Sequence, residues 1–330
     1  MAITPKENYF MLLRGEIPEY IPSFMEPRMN MISEDLLTPV SAPDGPVYTG
    51  WGVKYVGSAD IRNGAMPEPG FILLDDITKW RDVIKRPSMD RDWEQYYKKQ
   101  LDTFDRENKA VACGGADYFL TLVSFMGFEN TLMALYEEPE EVHALLDYVS
   151  DFYVDMMKQE LYYCKPEIYS IMDDDAAYRA PFFSVEMYQE FFKPCHKKHT
   201  DLCNDNGIYI TRHDCGKSEQ FIDDWLELGI REWNPAQVSN DLKTIKKKYL
   251  GRLALSGCWD NQGAMGRPDT PNDQFIDAMQ EYVDTFAPGG GFTFCALVEG
   301  DHDDPNTKEK FEIINKFYEE NVRNYYKTHH

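Results

Sequence analysis

The stretch Ile208–Asn234, IYITRHDCGKSEQFIDDWLELGIREWN, holds an apolar run (Ile208–Thr211), a polar turn, an amphipathic helical segment (Gln220–Leu228) and a second short run (Glu232–Asn234). Strand, helix and strand within so few residues make a βαβ unit, whose crossover helix leaves its two strands parallel. The same alternation recurs on either side. Runs at Ala110–Ala112, Ile168–Met172, Leu253–Leu255 and Phe292–Phe294 have the length of buried parallel strands, and helical segments fill Ser184–Asn206, Asp241–Tyr249 and Thr270–Phe286. Helical patterns at Thr78–Ile84 and Arg91–Glu107 precede them. The expectation is an α/β protein, a single (β/α)8 TIM barrel spanning 1–330. The Pro- and Gly-rich stretch from Leu36 to Gly70 reads as an irregular N-terminal excursion. In such a barrel the chemistry gathers at the carboxyl ends of the strands.

Composition narrows the partners. A chain of 330 residues that is 43% hydrophobic and 14% aromatic can bury a large core. Its 34 basic and 57 acidic residues give a net charge of −23, which repels phosphate backbones and anionic lipid, so no nucleic acid and no membrane partner is expected. Seven cysteines without framework spacing, no apolar leader and no apolar stretch of about 18 residues fit a reducing cytoplasm. His329 and His330 carry no chemical weight in this reading.

Ligand-capable groups follow several of the strands: Asp173-Asp174-Asp175, Arg212-His213-Asp214-Cys215-Gly216, Asn234, Gly257-Cys258-Trp259-Asp260 and Cys295. His213 and Cys215, one residue apart on an extended strand exit, point the same way and can bite one metal ion. Cys295 would add a third ligand from another strand end. Two thiolates and an imidazole select zinc, and three protein ligands leave an open position. The plainer alternative makes His213 a satisfied core histidine and the two thiols small buried hydrophobes. The acidic triplet could hold a cation, act as acid or base, or cap a helix.

Other motifs read more simply. Cys195, His199 and Cys203 stand at i, i+4 and i+8 with His196 beside them, but Phe191, Phe192 and Leu202 share the helix, so packing explains the cluster. Gly289-Gly290-Gly291 precedes a strand and is a turn, not a phosphate loop. Lys243–Lys248 reads as a solvated helix face. No nucleophile elbow, P-loop or dinucleotide fingerprint is present.

The segments GFENTLMALYEEPEEVHALLDYV (Gly127–Val149), DDDAAYRAPFFSVEMYQEFFKP (Asp173–Pro194), RHDCGKSEQFIDDWLELG (Arg212–Gly229) and DLKTIKKKYLGRLALSGCWD (Asp241–Asp260) resemble the uroporphyrinogen decarboxylase superfamily. That resemblance implies a (β/α)8 barrel. True decarboxylases of the superfamily grip a tetrapyrrole with an arginine-rich N-terminal segment, whereas Ile21–Met31 here offers Arg28 alone, beside Glu26. Its other branch, the cobalamin-dependent methyltransferases, carries a zinc motif H-x-C with a distant third cysteine, which His213, Cys215 and Cys295 match. One group of that branch methylates a thiol such as coenzyme M; another moves methyl from an aromatic methyl ether to a cobalt(I) corrinoid on a partner protein. DDDAAYRAP, with Asp175, Tyr178 and Arg179, and FCALVEGDHDDP depart from the thiol group's pattern, and the resemblance leans to the ether group. It then implies zinc as cofactor, a corrinoid protein as partner, and Asp173 or Asp174 orienting substrate or handling a proton. Met25, Tyr178 and Trp259, near candidate strand exits, suit an apolar aromatic pocket for the ether, with Glu26 beside Met25, although each taken singly reads more simply as core packing. A non-catalytic corrinoid-binding scaffold is the alternative outside enzymology.

Overall fold

The computed structural model describes residues 3–24, 28–32, 42, 45–58 and 64–329. Its strands are β1 (Arg28–Ile32), β2 (Val47–Tyr48), β3 (Lys54–Ser58), β4 (Gly64–Pro67), β5 (Ala110–Gly115), β6 (Ile168–Met172), β7 (Tyr209–His213), β8 (Ile230–Ala236), β9 (Ala254–Gly257) and β10 (Phe292–Thr293). Around them run α1 (Pro5–Leu13), α2 (Trp80–Val83), α3 (Trp93–Leu101), α4 (Tyr118–Met126), α5 (Phe128–Glu137), α6 (Pro139–Tyr163) and α7 (Val185–Met187). The series continues with α8 (Lys193–Asp205), α9 (Ile222–Glu227), α10 (Leu242–Tyr249), α11 (Asn272–Phe286), α12 (Pro305–Phe317) and α13 (Tyr325–Thr328).

Seven strands form one parallel sheet in the order β1-β5-β6-β7-β8-β9-β10, so the βαβ reading of 208–234 holds. Beyond β10, Phe294 pairs in parallel with Ser23, a few residues before β1. Helix α1 packs against the amino ends of these strands: its Tyr9, Phe10, Leu12 and Leu13 cluster with Ala110, Ala112, Ile168 and Ala254, and the Tyr9 hydroxyl donates to buried Glu232 on β8 (2.6 Å). The larger core fills the space between the sheet and the outer helices, with Trp225 and Trp233 among its largest fully buried side chains.

Three local departures from the sequence reading have physical causes. The excursion includes a three-stranded antiparallel sheet, β2-β3-β4, that the Pro and Gly content obscured. The helix expected over Arg91–Glu107 is α3 alone: Asp92 caps it on the Gln95 amide, and beyond Leu101 the Asp105 carboxylate takes the amides of Glu107 and Asn108 in a competing turn. The helix expected over Ser184–Asn206 contains a π turn at Tyr188–Phe192, where Lys193 N–H reaches back to Tyr188 O. Pro194 follows at once and lacks the amide that an α register would need for the Glu190 carbonyl.

Lys246 also departs from expectation. Lys243, Lys247 and Lys248 are exposed, but Lys246 turns inward and donates to Gly290 O in the turn before β10, where burial pushes its pKa down to about 8. Gly289, Gly290 and Gly291 all have positive φ, as that turn requires. Among the described residues no single helix is long and apolar enough to cross a membrane.

Candidate metal and substrate site

The acidic triplet leaves β6 with its three side chains going three ways. Asp174 turns toward the exit of β7, where one ligand atom each from Asp174, His213 and Cys215 lie within 4.8 Å of one another. Sγ of Cys215 is 3.7 Å from Nε2 of His213, so the one-residue spacing does put both side chains on one side of the strand. The Cys215 amide donates to Asp174 Oδ1 (2.7 Å), tying the two strand exits together. Asn234 stands beside His213 in the β7–β8 ladder and accepts from its Nδ1 (3.1 Å). With the ring proton on Nδ1, the Nε2 lone pair faces Cys215, the arrangement a metal-ligating imidazole takes.

Burial and the neighbouring Asp174 push the Cys215 thiol up. A divalent cation would reverse that balance, because a coordinated thiolate has its charge compensated. Sulfur, imidazole nitrogen and carboxylate oxygen are all ordinary zinc ligands, and three of them from protein leave a position for substrate. The donor set therefore fits zinc on its own chemistry.

Behind the cluster lies a buried ionic network. Arg212, fully buried, donates to Asp175 and Asp214, and its guanidinium lies 5.3 Å from the Trp225 ring centroid. Burial works against the guanidinium's charge, but Asp214 and Asp175 outweigh it and keep it ionised. Burial pushes both carboxyls up. Ser218 donates to Asp214 Oδ1 (2.6 Å), and Trp233 Nε1–H donates to the Asp214 carbonyl (2.9 Å), so Asp214 anchors the turn from within while its neighbours face outward. Gly216 completes the exit at φ +84°; a Cβ there would run into the Ala176 carbonyl on the loop after β6.

The Asp173 side chain turns to a helix. It is 1% exposed and accepts the first amides of α4, those of Tyr118 (2.9 Å), Phe119 (3.0 Å) and Leu120 (3.2 Å). Its burial lifts its pKa to about 6 despite Arg212 and those amides. It positions α4 and is not among the three residues whose ligand atoms converge. Cys295 lies at the end of β10 with its amide donating to Tyr282 Oη (3.1 Å), outside the three-residue group; Asp174 stands third instead. Trp259 packs edge-on to Phe275 and Tyr282 and donates to Leu297 O (2.7 Å), which makes it core, not pocket wall. Tyr178 is 55% exposed in the loop after β6. Met25 and Glu26 lie outside the described residues. The second His/Cys cluster packs as expected: His199 meets Tyr118 Oη (2.7 Å), His196 meets Ala116 O (3.1 Å), and Cys195 donates to Phe191 O.

A sequence profile described as Uroporphyrinogen decarboxylase (URO-D) matches residues 96–294, well over half of the chain. The chain belongs to the uroporphyrinogen decarboxylase family. The matched span includes β5 to β10 and every residue of the Asp174–His213–Cys215 cluster. Among solved structures, a methyltransferase from Methanosarcina mazei is similar with a TM-score of 0.65 at 12% identity, over 96% of this chain and 100% of that one. At that identity the likeness speaks for a shared fold. No curated protein matches the chain.

Proposed function

We propose that this member of the uroporphyrinogen decarboxylase family is a zinc-dependent methyltransferase that moves the methyl group of an aromatic methyl ether to the cobalt(I) of a corrinoid carried by a partner protein. The observation that carries the reading is the convergence of Asp174, His213 and Cys215 at the carboxyl ends of β6 and β7. The fold shared with a methyltransferase supports it. We further read the sheet as a closed (β/α)8 barrel. The Ser23–Phe294 pairing and the contact of one helix, α1, with β5, β6, β8 and β9 support closure.

Asp174, His213 and Cys215 would hold the ion. Bound there, zinc supplies Lewis acidity toward an ether oxygen, and so eases departure of the poor phenolate leaving group. In the reaction the methyl–oxygen bond breaks with its electron pair staying on oxygen, and the phenolate then takes a proton from water. The protein's own residues prepare that step. Asn234 holds the His213 proton on Nδ1, the Arg212 network fixes the strand exit that carries Cys215, and Asp173 fixes α4 alongside. Tyr178, exposed on the loop after β6, would meet the substrate or the docking corrinoid protein, and Cys295 is the candidate for a further ligand from β10.

Mixing the protein with a reduced corrinoid protein and vanillate tests the reading. Methylcobalamin and the free phenol should appear together, and Cys215→Ala should abolish both. Thiol-dependent demethylation of methylcobalamin, with no ether consumed, would move the assignment to the thiol methyltransferases.

A further inference from the structure

The chain around Cys215 is held one peptide plane at a time. A side chain leaves the backbone in the direction set by the two peptide planes that meet at its Cα, because rotation of those planes is the only soft motion the backbone has. For Cys215 they are the planes 214–215 and 215–216.

Plane 214–215 is tied at both ends. The Asp214 carbonyl accepts from Trp233 Nε1–H (2.9 Å) on β8, and the Cys215 amide donates to Asp174 Oδ1 (2.7 Å). Plane 216–217 is tied likewise, its carbonyl by Asn240 Nδ2 (2.9 Å) and its Lys217 amide by Ala177 O (2.9 Å). Plane 215–216 between them is held differently. Its carbonyl lies 3.0 Å from Ser218 Oγ, but that hydroxyl has one proton and stands closer to Asp214 Oδ1 (2.6 Å). The firm tie is at the other end, where the Gly216 amide donates to Gln237 Oε1 (2.7 Å).

Gln237 has a fixed support for this task. It follows directly on β8, which ends at Ala236. Its loop is also stitched to the Cys215 turn: the Glu219 amide donates to Asn240 Oδ1 (3.0 Å), and the Asp241 amide donates to Glu219 Oε2 (2.8 Å). A backbone N–H can donate only to the oxygen of a side-chain amide, so the bond to Gly216 also decides which way the Gln237 amide is turned.

We propose that Gln237 is a positioning residue of the metal site: its side-chain oxygen fixes the 215–216 plane and thereby aims the Cys215 sulfur at the ion. The inference rests on the zinc reading and adds to it a residue outside the ligand set.

Cobalt(II) is a suitable probe, because its bond to a thiolate gives a charge-transfer band in the near ultraviolet. Metal-free full-length protein titrated with cobalt(II) should take up one ion per chain and develop that band. Gln237→Leu, similar in size but without the acceptor, should bind cobalt at least about tenfold more weakly with a diminished band, as expected when an outer partner of a metal ligand is lost. Gln237 is half-buried, so water can serve the Gly216 amide in its place, and the metal-free variant should keep the wild-type circular dichroism spectrum and melting temperature. Gln237→Glu keeps an acceptor for the amide and should restore the band and bind at least as tightly as the wild type. Wild-type affinity and band in Gln237→Leu, equal weakening in Gln237→Leu and Gln237→Glu, or loss of the metal-free fold in Gln237→Leu would each overturn the inference and leave the zinc reading standing. No thiolate band in the wild type, or the same band in Cys215→Ala, would overturn both.

Discussion

Replacing Asp173 tests whether this carboxylate is a helix anchor or a catalytic group. Asp173→Ala strips acceptors from three amides at the start of α4. Leaving a buried donor unmet costs about 1–3 kcal/mol, so the gross loss over the three amides is about 3–9 kcal/mol. Against it stands the burial that lifts the carboxyl to about 6 from an ordinary 3.8, a penalty of about 3 kcal/mol at neutral pH that the variant escapes. The difference is a net destabilisation of about 0–6 kcal/mol, centred near 3, against the 5–15 kcal/mol of a typical domain. Urea unfolding of the metal-free protein, followed by circular dichroism, gives the number, and hydrogen exchange locates it: protection should fall at Tyr118, Phe119 and Leu120. Asp173→Asn should fall between, because its one amide oxygen can serve some of the donors while its NH₂ opposes the rest. Asp174→Ala, which uncovers only the Cys215 amide, should cost clearly less. Unchanged protection at Tyr118, Phe119 and Leu120 in Asp173→Ala would refute the anchoring argument, whatever the net loss.

His199 and Gly216 provide further checks. Burial holds His199 down to about 3 from an ordinary 6.5, so between those values the unfolded chain binds a proton that the native state refuses. Stability should therefore fall as pH falls below 6.5, by about 1.4 kcal/mol per unit from this residue, and His199→Gln should flatten the urea-unfolding slope between pH 7 and 5; equal slopes would contradict this. Gly216→Ala should cost about 2–4 kcal/mol and loosen the Cys215 turn, because its methyl meets the Ala176 backbone, while Gly207→Ala, at φ +67° with open space around it, should cost only about 1 kcal/mol by thermal melting.

The legible parts of the sequence were those set by short periods. The βαβ alternation and the His213–Cys215 pairing depend on periods of two and 3.6, and the structure keeps both. The triplet 173–175 was legible as a site but not in its parts. Whether each carboxylate meets α4 amides, the cluster or Arg212 depends on elements far apart in sequence. Trp259 follows a strand end and suits either a pocket or the core; Cys258 takes φ +59° and the indole packs against Phe275 and Tyr282, which a strand-end position alone does not decide. Asn234 gave a polar residue at a strand end and no more; its bond to His213 appears only when β7 and β8 are in register. Asp117 looks like an ordinary cap of α4 until Asp173 is seen occupying the amides it would take.

The central claim is that Asp174, His213 and Cys215 form a zinc site, and elemental analysis of the purified protein tests it most directly. The account predicts about one zinc per chain in the wild type and little or none in folded His213→Ala and Cys215→Ala; the same zinc content in all three, whether negligible or full, would contradict it.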